Sequence, residues 1–122
     1  MNKKIEHLYN PKGDHFVWWI YDGKKVEKNY AYSVLTEKIR GDDGIVIVEP
    51  SSINDPDNAV IYNPDGTLRA RVINPVKDKG SKCFADVYYV NDELTLIAAG
   101  GRVFYACAID EDGNVLRVYE TR

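Results

Sequence analysis

Residues 61–73, IYNPDGTLRARVI, spell out a single β-hairpin. Asn63 suits the first position of a type I turn and Pro64 presets φ for the second. Asp65 suits the third, and Gly66 takes the left-handed conformation that closes the loop. Strand-forming residues flank the turn on both sides. If the return strand alternates regularly, Leu68, Ala70 and Val72 share one face. Arg69 and Arg71 then share the other, where they either line solvent or pair with acidic turns. The design recurs as LYNPKGDHFVWWI from Leu8 and, more loosely, as AIDEDGNVLRVYE from Ala108. The spacing is close to one four-stranded propeller blade. Aligned on the glycine, however, Leu68, Ala70 and Val72 meet Val115, Arg117 and Tyr119, and a change of parity reverses which face is buried. Independently similar turns are therefore expected rather than duplicated units, and the chain is too short for a closed propeller.

The flanking segments extend this pattern into a mainly β chain. Ile5–Tyr9 is expected as a short strand. Phe16–Tyr21, apolar on both faces, is expected as a central strand with Val17 and Trp19 covered on one side. Asp22-Gly23 is a two-residue turn into a polar, edge-like strand from Lys24 to Tyr32. Residues 33–40 switch to helical spacing, with Ser33 as N-cap and Gly41 just past the end, so one short helix is expected there. Ile45–Val48 is a short, fully apolar strand. Residues 49–58 and 74–82 read as polar surface connections. From Phe84 the chain becomes regular, with strands at 84–90, 93–99, 102–109 and 115–120 separated by hairpin chemistry. The expected fold is one β-rich domain over residues 1–122. Its antiparallel meander would form a curved sheet, a half-barrel or a small sandwich.

A chain of 122 residues supports a real core without staples. Cys83 and Cys107 lack metal-site spacing and fit reduced thiols, one common intracellular state. The start, MNKKIEHLYNPKGD, has no apolar h-region, and no apolar run is long enough to span a membrane. A cytoplasmic location without membrane association is expected. The formal charge of −3 and scattered Lys and Arg disfavour direct nucleic-acid binding, which requires a concentrated basic surface, and favour a basic partner.

Candidate chemistry is sparse. His7 and His15 are the only imidazoles. With Tyr9 opposite Asp14, Leu8 opposite His15 and His7 opposite Phe16, they fall on opposite sides of their hairpin, so a nuclease built on them is the least favoured reading. Ser33, Ser51, Ser52 and Ser81 have no nucleophile-elbow context, and Gly100-Gly101 is a strand-to-strand turn rather than a phosphate loop. No catalytic, cofactor or metal residues are assigned and no cofactor is expected. Carboxylates gather in turns: Asp42 and Asp43; Asp55 and Asp57; Asp92 and Glu93; Asp110, Glu111 and Asp112. They lack a complete calcium-loop pattern. Their alternatives are solvated turn chemistry, or one acidic face that occupies a basic cleft.

IYNPDGTLRARVINP, FADVYYVNDELTLIA and AIDEDGNVLRVYETR resemble segments of bacterial immunity proteins from contact-dependent growth inhibition and related polymorphic toxin systems. The resemblance implies a non-enzymatic cytoplasmic inhibitor that binds the C-terminal domain of a cognate toxin, commonly a nuclease, and covers its active site or substrate cleft. It carries over no residue roles. On that reading the partner is basic, the nine turn carboxylates just named form the contact surface, and no small-molecule ligand is expected. The alternative is a small ligand-binding or structural β module without catalysis, its aromatics lining a groove.

Overall fold

The computed structural model describes residues 4–11, 14–51 and 56–121. Among them, eleven strands form three antiparallel sheets, each joined in chain order. The first sheet holds β1 (Glu6–Tyr9), β2 (Phe16–Tyr21) and β3 (Lys24–Asn29). The second holds β4 (Leu35–Lys38), β5 (Ile45–Val48), β6 (Ala59–Tyr62) and β7 (Leu68–Val72). The third holds β8 (Cys83–Val90), β9 (Glu93–Ala99), β10 (Phe104–Ile109) and β11 (Val115–Thr121). The chain is mainly β, as its hairpin chemistry requires. It makes three stacked meanders, a sandwich extended by one further layer.

The second sheet is the middle layer, which explains why Ile45–Val48 is apolar without alternation: all four residues are buried. Val46, Val48, Ala59, Ile61 and Val72 pack on Phe84, Leu94, Leu96 and Cys107 of the third sheet. Ile45, Ile47 and Val60 pack the other way, on Val17 and Trp19 of β2. As expected, β2 is the central strand of its sheet, with Val17 and Trp19 fully covered.

Residues 33–39 hold no helix, and Arg40 opens a single 3-10 turn that ends at Asp42. Leu35–Lys38 form β4, paired with β5 from Leu35 opposite Val48 to Lys38 opposite Ile45. Val34 is buried towards the first sheet and Leu35 packs towards the third, so successive side chains serve opposite cores, a period of two that a helix does not provide. Gly41 does take a positive φ of 81°, but it does so in the connection to β5, where the Ile39 amide donates to the Gly44 carbonyl at 2.9 Å. The β-branched Val34, Thr36 and Ile39 favour the extended form.

The second and third sheets also correspond over their last two strands. In each, the third and fourth strands are joined by the same turn. The Asn63 amide donates to the Thr67 carbonyl at 2.8 Å and the Gly66 amide to the Asn63 carbonyl at 2.9 Å; the equivalent pairs around Asp110 are 3.0 and 3.1 Å. Gly66 and Gly113 have φ of 90° and 87°. Both turns are followed by a register irregularity: Tyr62 pairs with Leu68 but Ile61 with Ala70, and Ile109 pairs with Val115 but Ala108 with Arg117. Leu68 therefore does not share a face with Ala70 and Val72. The parity is the same in both sheets, contrary to the sequence argument. The residues differ because the face bearing Ala70 and Val72 is covered by the third sheet, whereas the equivalent face bearing Arg117 and Tyr119 is outermost.

Candidate functional site

Because the sheets are meanders, alternate connections return to the same end of the stack. One end collects the turns β4–β5, β6–β7, β8–β9 and β10–β11, and two arginines hold them together. Arg40 bonds Asp92 at 2.8 Å, linking the first connection to the third. The Arg40 amide donates to the Tyr89 hydroxyl at 3.0 Å. Arg69, at the irregularity after the hairpin turn, is the hub. Its Nε donates to the Asn63 side-chain oxygen at 2.7 Å, one terminal nitrogen donates to the Glu111 carbonyl at 3.0 Å, and the other donates to the Asp43 carbonyl. Its side chain is only 15% exposed. A planar guanidinium suits this role because its donors diverge in fixed directions.

This end gathers seven of the nine carboxylates singled out from the sequence, Asp42, Asp43, Asp92, Glu93, Asp110, Glu111 and Asp112, and adds Asp65. Asp42 pairs with Lys38 at 2.7 Å, and Glu93 accepts from Arg117, one of the two contacts measuring 2.8 Å. Carboxylates still outnumber the local cations Lys28, Lys38, Arg40, Arg69 and Arg117. Glu111 and Asp112 are exposed. Asp65 and Asp110 shape their own turns. The Thr67 hydroxyl and amide hold the Asp65 carboxyl below the usual carboxylate range, and the Asn114 side-chain amide, with the Asn114 backbone amide, does the same for Asp110.

Asp57 lies at the opposite end. Its carboxylate accepts from the Asn74 amide at 2.8 Å and pairs with Lys77 at 3.5 Å, so it fixes connections rather than joining the acidic end. Asp55 falls outside the described residues.

The opposite end holds polar groups that sequence reading placed in surface loops. Asn58, 1% exposed, bonds the Glu49 and Phe84 carbonyls and accepts from the Phe84 amide at 2.7 Å, joining the second and third sheets. Glu49 is buried and accepts from Arg71 at 3.3 Å. Burial, with Glu49 alongside, pushes the Tyr30 phenol well above its ordinary range. The two arginines of the hairpin thus part company, Arg69 serving the acidic end and Arg71 the opposite one. Only the Asn and Ser enrichment of 49–58 and 74–82 hinted that these segments fix backbone.

The first hairpin is paired differently from the expected register: Tyr9 opposes Trp18 and Glu6 opposes Ile20. The Asn10 side-chain amide donates to the Phe16 carbonyl at 3.0 Å, and His7 sits at φ 54° within the irregularity. Both histidines are exposed, and His15 stands edge-on to Phe16 at 5.6 Å. Neither Cys83 nor Cys107 forms a disulfide. Burial raises the Cys107 thiol to about 11. Among the described residues, no group of three or more His, Cys, Asp or Glu is placed to hold a metal ion, and no helix is long and apolar enough to cross a membrane. No protein family, curated protein or solved structure matches the chain.

Proposed function

We propose that the chain is an immunity protein that neutralises a cognate toxin domain, a nuclease of basic surface, by seating its acidic end in the toxin's substrate cleft. The observation that carries this reading is the gathering of four turns, from two sheets, into one end on which carboxylates outnumber cations. A nuclease cleft is basic because it holds phosphates, and a rigid acidic surface complements it without chemistry. The Arg69 hub supports the reading by ordering the turns before binding, which limits the entropy lost on association.

The test is co-expression with the toxin domain encoded beside the chain. Rescue of growth and a one-to-one complex whose affinity falls with salt are expected. Asp43→Lys combined with Glu111→Lys should weaken binding at least about 100-fold, since like charges replace complementary ones. Glu27→Lys, on β3, should leave it unchanged. If the double variant protects and binds as well as the parent, the acidic end is not the contact surface.

A second reading rests on a cleft of about 540 Å³ lined by Tyr32, Ser33, Pro50 and Ser51. It would make the chain a ligand-binding module. A ligand screen by thermal shift checks it: a hit whose shift disappears with Tyr32→Ala would favour it over the toxin reading.

A further inference from the structure

Open sheet edges invite further strands, and five of the six edges here carry a recognisable deterrent. β1 is four residues long and irregular, with His7 at positive φ. β3 carries Lys24, Lys25 and Lys28. β4 and β8 lie against one another. β7 is short, irregular and occupied by Arg69 and Arg71. β11 differs. It runs for seven residues, its irregularity is confined to its start, and Arg117 to Thr121 pair regularly with β10. Leu116, Val118 and Tyr119 are 57%, 37% and 43% exposed.

We propose that β11 is a self-association edge, pairing antiparallel with β11 of a second copy about a two-fold axis at Val118. Three features favour a second copy. First, the register is self-complementary: Val118 faces its own equivalent, and Arg117 faces Tyr119 of the other copy. The Arg117 guanidinium is turned inward over Ala108 to Glu93, which leaves its aliphatic stem for that ring. Second, no like charges stand directly opposite one another, and each Arg117, diagonal to its equivalent, is already paired with Glu93. The acidic β10–β11 turn stands at the start of β11, while Lys79 lines a groove with Val118, Tyr119 and Glu120 towards its end. Antiparallel pairing brings Glu111 and Asp112 of each copy towards Lys79 of the other, whereas parallel pairing would set two acidic turns side by side. Third, pairing removes exposed Val118 and Tyr119 from water and satisfies a row of backbone groups.

The inference does not rest on the toxin reading. The two acidic ends point away from each other across the axis, so each copy keeps one for a partner.

Sedimentation equilibrium of the full chain from about 1 to 500 µM tests the pairing. A monomer–dimer equilibrium that weakens with added salt is expected. Val118→Lys should raise the dissociation constant at least about 10-fold with circular dichroism unchanged, since it sets like charges directly opposite on an exposed position. In a Cys83→Ser chain, Val118→Cys should give a disulfide-linked dimer under mild oxidation, and Leu68→Cys, on β7 and the more exposed of the two positions, should not. Toxin neutralisation by Val118→Lys should match the parent, which separates this inference from the functional one. A chain that remains monomeric throughout, a dimer indifferent to Val118→Lys, or equal cross-linking at Leu68→Cys would each overturn the proposal. So would a monomer whose β11 pairs instead with an added extended peptide.

Discussion

Arg69 illustrates how much one side chain can organise. It replaces three separate turn interactions with one planar group, and its low exposure makes those bonds matter. Arg69→Ala should lower stability by about 2–3 kcal/mol, because it leaves carbonyls of two turns without their donor. Arg69→Lys should recover little, since an ammonium cannot reach divergent acceptors from one position. Urea denaturation of both variants checks this. Asp65 and Asp110 set a pH dependence at the same end. Their folded carboxyls titrate below the ordinary value, so the stabilisation they provide is complete above the unfolded range. It is lost as the pH falls through their depressed folded values. Carboxyl carbon shifts followed by NMR through an acid titration should show both titrating later than an ordinary aspartate, and Asp110→Asn should flatten the acid limb of the stability profile.

At the level of elements, the two equivalent turns lean on the sheet before them. A Cβ at Gly66 would come within 2.7 Å of Val26 Cγ1, and one at Gly113 within 3.1 Å of Ala70 Cβ. Trp19 and Lys28 of the first sheet also bond the Pro64 and Gly66 carbonyls at 2.6 and 2.9 Å. Both glycines hold positive φ, so either alanine variant costs about 1 kcal/mol or more from the backbone alone. Gly66→Ala should cost more than Gly113→Ala, because its contact is closer and the β-branched Val26 has few ways to retreat; denaturation midpoints of the pair measure the difference.

These turns and most strands were legible because Asn-Pro-Asp-Gly and Asp-Gly carry their conformations locally. β4 was not legible, since SVLTEKIRG satisfies a helical spacing as well as an extended one, and only the two cores on either side decide between them. The same cause hid the correspondence of the second and third sheets. Ala70 and Val72 are apolar because a layer covers them, and their counterparts Arg117 and Tyr119 are not because none does. The outermost sheet of a stack needs such a polar face. The acidic end was half legible: the carboxylates stood out in the sequence, but the pairing of meanders that gathers seven of them and sends Asp57 elsewhere did not.

For the whole molecule, the stack makes its layers interdependent. Truncating Ile47 or Ile61 to Ala should cost about 2–5 kcal/mol, since each is fully buried against an adjoining sheet. Because the middle layer touches both neighbours, each variant should still unfold in one transition by fluorescence and circular dichroism alike. Two separated transitions would show that the sheets melt independently.

The two-sided burial of β5 and β6 also bears on synthesis. Ribosomes deliver the chain from its N-terminus, so the second sheet is complete once Val72 has emerged, before any of β8 to β10 has done so. For that interval Val46, Val48, Ala59 and Ile61 present an uncovered apolar surface to solvent or to a neighbouring nascent chain. Emergence of the segment before β8 is thus the vulnerable stage, and chaperone demand should peak there rather than at either end of translation.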